Sequence, residues 1–205
     1  MTDRSKSVSM RAMGRTKQFD RNTALDDAMK VFWAKGFHGT SMQDLVDSLG
    51  VNRQSLYDTF GGKHELFEAA LERYRSLQAL PMRRALEGEG PVGDVLRELF
   101  HGLISGLIAS EGKGCFMVNS TTELAAQDQA VFGTCSANAR QLEAAFTGLM
   151  VRAQEAGEIP TDRSATQLGR FLLSTMNGLA VTAKATRDRK VLNDVVEVAL
   201  SALGL

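Results

Sequence analysis

The sequence predicts an all-α chain of about nine helices, a three-helix N-terminal unit followed by a larger helical body. Three observations carry that prediction. Apolar residues recur every three or four positions along most of the chain. Only three prolines occur, and aromatic residues make up 6%. Residues 39–67 read as two short helices joined by a tight turn, with a third starting at once.

The first helix is expected from about Asp20 to Lys35. Leu25, Ala28, Met29 and Phe32 form its stripe, Trp33 lies beside it, and Gly36 closes it. Thr40, with Gln43 three residues on, has the pattern of a capping box for the second helix. Leu45, Val46 and Leu49 then mark a buried face, and Gly50 ends the helix. Val51 plugs the corner. Asn52 is an N-cap for a third helix anchored by Leu56 and Phe60. Its first turn shows Arg53, Gln54 and Ser55 outward. That is the layout of a helix-turn-helix DNA reader, whose recognition helix meets bases through its N-terminal residues. Arg suits guanine and Gln suits adenine, each through two hydrogen bonds. A helical hairpin with a polar second helix has the same spacing.

The fourth helix starts near Lys63 and carries Leu66, Phe67, Ala70, Leu71, Tyr74 and Leu77. Pro81 is expected to end or kink it. Val92, Val95, Leu96, Leu99, Leu103 and Leu107 make the next stripe, widened by Phe100, Ile104 and Ile108. Residues 111–114 form a loop. Cys115 to Ala126 reads as a short helix, and a long one begins near Asp128 and stops at Gly157. Asp162 is expected to cap the next, with Leu168, Phe171, Leu172, Thr175, Leu179 and Ala183 on one side. The last helix bears two apolar lines, Val191, Val195 and Val198, and Leu192, Val196, Ala199 and Leu203. One line can face the body and the other a partner.

The domain reading is a mobile basic arm over 1–16, a DNA-binding unit over 17–64 and a body over 65–205. The start of translation stays open among Met1, Met10 and Met13. An apolar content of 43% is enough for a full core. Formal net charge is zero, but residues 1–64 hold ten Lys/Arg against seven Asp/Glu. A weakly basic head on a weakly acidic body fits a DNA reader with a regulatory domain. No run approaches the ~18 apolar residues of a membrane span, and residues 1–12 lack the apolar stretch of a secretory signal. Two cysteines make no disulfide framework, so a reduced cytoplasmic setting is expected. The three histidines, His38, His64 and His101, show no metal spacing, and no nucleophile motif is present. No metal, cofactor or catalytic residue is therefore expected. A helical carrier or an enzyme without DNA binding is the remote alternative.

Residues from about Arg15 to Phe67 resemble the DNA-binding domain of the TetR family of bacterial transcriptional regulators. The match lies in Lys35-Gly36-Phe37, Thr40-Ser41-Met42, Asp44-Leu45, Gly50-Val51, Leu56-Tyr57, Phe60, Lys63 and Leu66-Phe67. Val46 stands where the family usually has alanine, and Asp58-Thr59 replaces the usual polar–histidine pair before Phe60. The resemblance implies a cytoplasmic homodimeric repressor, released from a near-palindromic operator by a small molecule. Double-stranded DNA would meet Thr40, Ser41, Asn52, Arg53, Gln54, Ser55, Tyr57 and Lys63. Of these, Arg53 and Gln54 would read bases, and Thr40, Tyr57 and Lys63 would hold phosphates. Dimer contacts are expected at Phe171, Thr175, Leu179, Val195 and Ala199.

An effector pocket in the body would be mostly apolar. Its expected lining is Tyr74, Phe100, Ile104, Cys115, Phe116, Phe146 and Phe171, with His101, Asn119 and Ser120 as the few polar groups. Cys115 follows Gly114 at a helix start, where free amides favour a thiolate. A thiol-based redox, electrophile or metal sensor is the alternative reading, with Cys135 or His101 as partner. A small side chain packed under the loop is the plainer one.

Overall fold

The computed structural model describes residues 20–205, which form nine α-helices and no strand. The expected arm over 1–16 lies outside the described residues. The first three helices are α1 (Arg21–Lys35), α2 (Met42–Leu49) and α3 (Arg53–Phe60). Then come α4 (Lys63–Leu86), α5 (Val92–Ala109) and α6 (Phe116–Leu124), and last α7 (Gln129–Glu155), α8 (Ala165–Ala185) and α9 (Arg189–Leu203).

Helix starts follow local chemistry. Asp20, Asn52, Asp128 and Asp188 each accept a first-turn amide, which satisfies a donor with no intrahelical partner. The α2 start corrects the expected Thr40–Gln43 box by one residue. Ser41 is the N-cap and shares a reciprocal capping box with Asp44. Thr40 is instead buried, its hydroxyl donating to the Gly36 carbonyl at 2.6 Å. Gln43 turns to Asp47 at 2.7 Å. Likewise Ser164, not Asp162, caps α8, because its box partner Gln167 reaches back to it. Gly50 closes α2 with φ 63°, the left-handed conformation that glycine adopts without strain.

Pro81 does not end α4, which runs five residues further to Leu86. The surrounding residues 76–81 are exposed, so water can solvate the carbonyl that loses its helical partner. The same exposure removes Leu77 from the expected apolar stripe.

Two apolar clusters organise the chain. One joins Phe32, Leu45, Leu56, Phe60, Phe67 and Tyr74 with Phe116, Met117 and Leu124 of α6 and Val131 and Cys135 of α7. The other fills the body with residues of α5, α7, α8 and α9, among them Phe100, Ile104, Phe146, Met150, Leu172 and Val196. Each fully buried Phe or Leu there contributes about 1.5–3 kcal/mol relative to exposure. Helices α7 and α8 approach closely at Gly169, where a Cβ would lie 2.6 Å from Thr147 Oγ1. The last helix keeps its two lines apart: Leu192, Val196, Ala199 and Leu203 are buried, and Val191, Val195 and Val198 are exposed.

Candidate nucleic-acid interface and cavity

The α2–α3 pair presents a polar edge over a fixed base. Leu56 and Phe60 hold α3 from beneath, and Arg53, Gln54 and Tyr57 are exposed on its outer side. Ser55, half-buried in the first turn, is tied by its amide to the Asn52 side chain at 2.8 Å. Arg53 makes no ion pair among the described residues, so its guanidinium is available. Gln54 donates to Asp58 at 2.7 Å and would exchange that bond for another acceptor.

Four of the expected DNA-binding side chains have internal work. Ser41 and Asn52 are N-caps. Thr40 is buried against Gly36. Lys63 reaches across to the carbonyls of Phe37 and Thr40, both at 2.8 Å, and lies over the Phe37 ring. Its ammonium joins α4 to the α1–α2 turn. Nearby, Lys35 pairs with Asp44 at 2.5 Å, and that bond is the first cause of a carboxyl held well below the usual range.

Helix α6 and the loop that leads into it are both tied to this unit. Glu123 accepts the backbone amides of Phe37 at 3.1 Å and His38 at 2.9 Å. Just before the helix starts, the Trp33 indole donates to the Gly114 carbonyl at 3.2 Å. His64 adds a third tie. Its Nε2 meets Asp128, the N-cap of α7, and its Nδ1 lies 3.3 Å from Glu68. The bond to Asp128 raises the imidazole pKa, with the Glu68 and Glu65 charges adding to it. His64, Glu68 and Asp128 thus come within 4.8 Å of one another, close enough to share a cation. The expectation that no histidine is so grouped is corrected, because Asp128 is distant in sequence. Both ring nitrogens already face carboxylates, an arrangement that suits an imidazolium bridge.

A cavity of about 1230 Å³ lies between α4, α5, α6, α7 and α8. Of the expected lining, Tyr74 and Cys115 border it. Phe100, Ile104 and Phe146 are fully buried core, and Phe116 packs edge-on to Phe67 and Tyr74. His101 and Phe171 are exposed and away from the cavity. Asn119 is held by the Lys113 carbonyl and by Lys184. The actual walls are Met82, Leu103, Val118, Leu142, Leu149 and Met176, with Arg75, Asn138, Arg152 and Asn177 among the polar members. Leu103, Leu142 and Leu149 carried a stripe signal. Which face would line a gap was not in the spacing.

Cys115 is the N-cap residue of α6 and half-buried, its Sγ 3.6 Å from the Tyr74 hydroxyl. Burial first, then the neighbouring Cys115, pushes the Tyr74 phenol far above its ordinary pKa, so it stays a donor. Cys135 is buried, which raises its thiol pKa and keeps it unreactive. Leu179 and Ala199 are buried within the chain and are not available to a partner, which corrects those two dimer assignments. Phe171, Val181, Val191, Val195 and Val198 remain exposed. Among the described residues, no helix is long and apolar enough to cross a membrane.

Comparison with known proteins agrees with this geometry. Residues 24–70 match the family model described as bacterial regulatory proteins, tetR family. Residues 94–199 match the tetracyclin repressor-like C-terminal domain. The chain is 38% identical over 195 residues to the uncharacterized HTH-type transcriptional regulator YezE of Bacillus subtilis, covering 93% of this chain and 100% of that protein. It is 32% identical over 206 residues to the HTH-type transcriptional repressor ComR of Escherichia coli, covering 100% of this chain and 96% of the relative. A cysteine-substituted form of the TetR family regulator CifR, solved with 26-base-pair operator DNA, superposes with a TM-score of 0.81 at 32% identity, over 93% of this chain and 100% of that one.

Proposed function

Because the chain belongs to the TetR family of bacterial regulatory proteins, we propose that it is a cytoplasmic homodimeric repressor that a small molecule releases from a near-palindromic operator. It is a DNA-binding transcriptional regulator, not an enzyme. Relatives named as repressors and a neighbour solved on operator DNA support the reading.

The observation that carries release is the double attachment of α6. Met117, Val118, Thr121 and Thr122 of this helix line the cavity. Glu123 near its end and Gly114 just before its start hold Phe37, His38 and Trp33 of the N-terminal unit. A ligand that needs more room in the cavity moves α6, and α6 carries the reader with it. Arg53 and Gln54 are then the base-reading residues, and Ser55 and Tyr57 meet the backbone beside them. The caps Ser41 and Asn52 add exposed helix N-termini, and Lys63 keeps one donor for a phosphate. Thr40 acts only by shaping the turn. Phe171, Thr175 and Val195 supply the partner contact, with Val191 and Val198 beside them.

DNase footprinting on the DNA flanking the gene tests the reading. A protected near-palindrome with half-sites about one or two helical turns apart is expected. Uniform, sequence-independent protection would contradict it.

One observation favours a second route of release. Cys115 lies on the cavity wall at the start of α6 and beside Tyr74. An electrophile that enters the cavity would attach there through the thiolate. Operator release by N-ethylmaleimide should then vanish in Cys115→Ser. Equal release in both proteins eliminates this route.

A further inference from the structure

Three arginines border the cavity, and two of them are already neutralised. Arg75 pairs with Glu72 at 2.7 Å, and Arg83 pairs with Glu87 at 3.5 Å. Arg152 has no ion pair among the described residues. It stands in the last turn of α7, where its Nη1 donates to the Gly88 carbonyl at 2.9 Å. Its Nη2 is buried and makes no hydrogen bond.

A guanidinium keeps its charge, so it cannot escape burial by losing a proton. A buried donor of this kind without an acceptor is costly. Most of the remaining wall is apolar, with Met82, Leu103, Leu142, Leu149 and Met176 prominent, and polar members such as Asn138 and Asn177 are neutral. A neutral apolar ligand would cover this wall and leave the Arg152 charge unpaired. A small polar anion would pair with Arg152 and leave the wall wet. An apolar body with one anionic head meets both demands.

We propose that the cavity takes a single-headed anionic amphiphile and that Arg152 receives its head. This rests on the reading of the cavity as the effector site. The head is a carboxylate or a phosphate in chemistry, since both accept from a guanidinium through paired oxygens. The cavity's α4 wall runs from Tyr74 to Leu86, about 18 Å at the helical rise per residue. Arg152 is near the Leu86 end, beside Gly88. A tail extended from there runs toward Tyr74, Cys115 and α6, the helix that holds the reader.

The test is calorimetric titration of the full chain with decanoate, decyl phosphate and decanol, each below its micelle concentration. The wild type should bind at least one of the two anions about tenfold more tightly than decanol. The stronger anion identifies the head chemistry. Arg152→Gln should remove that preference and leave decanol binding unchanged. Arg152→Lys, which keeps the charge, should retain most of it. Should Arg152→Gln fail to fold, the wild-type preference and the lysine variant decide. Decanol binding as tightly as both anions, anion binding unchanged in Arg152→Gln, or no binding of any of the three overturns the proposal. Operator binding, measured in parallel, separates the two readings. An anion held through Arg152 without operator release leaves the Arg152 site standing and removes its regulatory role. Release by decanol equal to release by the anions leaves the effector cavity standing and removes the anionic head.

Discussion

The reader and the body answer the same problem, burying apolar helix faces, in opposite ways. The reader packs short helices around a filled core in which Ala28, Phe32, Leu45 and Leu56 are at most 1% exposed. Its polar ends are closed by Ser41, Asn52 and the Lys63 ammonium. The body uses helices of up to 27 residues and leaves a cavity of about 1230 Å³ among five of them. A filled unit moves as one piece; a hollow one has slack for a ligand to take up. The two meet at α6, whose residues belong partly to the reader's apolar cluster and partly to the cavity wall.

The largest expected effect tests how solid the reader is. Phe32→Ala should lower stability by about 3–5 kcal/mol, since a cavity opens where none can be tolerated. Leu142→Ala, on the half-buried cavity wall, should cost less than about 2 kcal/mol, because the new space merges with space already there. Chemical denaturation of both variants checks this. Equal losses would break the contrast between filled and hollow.

Next in size is the reading edge. Arg53→Ala should weaken operator binding by about 1–3 kcal/mol and relax preference at one base position. Fluorescence anisotropy on a set of single-base operator variants reads both effects. An unchanged base preference would remove Arg53 from the interface.

A smaller effect is expected at the junction. Glu123→Ala removes the acceptor for two reader amides. It should change the coupling between cavity and operator by about 0.5–2 kcal/mol while altering operator affinity alone by less. The ratio of operator affinities with and without ligand, compared with the wild type, measures it.

The smallest concerns pH. His64 has a raised folded pKa from its bond to Asp128, so its contribution is fully present below the unfolded value of about 6.5. That contribution is lost as pH rises through the folded pKa. Asp128 has the opposite sense: hydrogen bonds from Val131 and His64 lower its pKa, and its contribution fades only in acid. The melting temperature of the wild type should therefore decline slightly more between neutral and mildly alkaline pH than that of His64→Gln. His64 is 44% exposed, which keeps the difference small.

Much of this architecture was legible in the sequence because helices announce themselves through period and caps. Leu45, Leu56 and Phe60 were placed inward by spacing alone, and all are buried. Adjacent candidate caps were harder to separate. Thr40 and Ser41 both offer a hydroxyl, and only the box partner Asp44 decides between them. The cavity was the least legible part. Phe100 and Phe146 looked like walls because they are large, yet large residues fill core as readily as they line gaps. A gap belongs to the distance between helices, which no single helix encodes. The pairing of His64 with Asp128 and of Trp33 with Gly114 was hidden for the same reason.

The central claim, that α6 relays the state of the cavity to the reader, can be tested without any ligand. Ala139 lies on the α7 wall of the cavity, so Ala139→Trp fills that space from within. The measurement is operator affinity of the folded, dimeric variant by fluorescence anisotropy. The account predicts a loss of about 1–3 kcal/mol, the usual size of coupling between sites, with a smaller loss when Glu123→Ala is added. A folded dimeric Ala139→Trp that binds its operator as tightly as the wild type would contradict it.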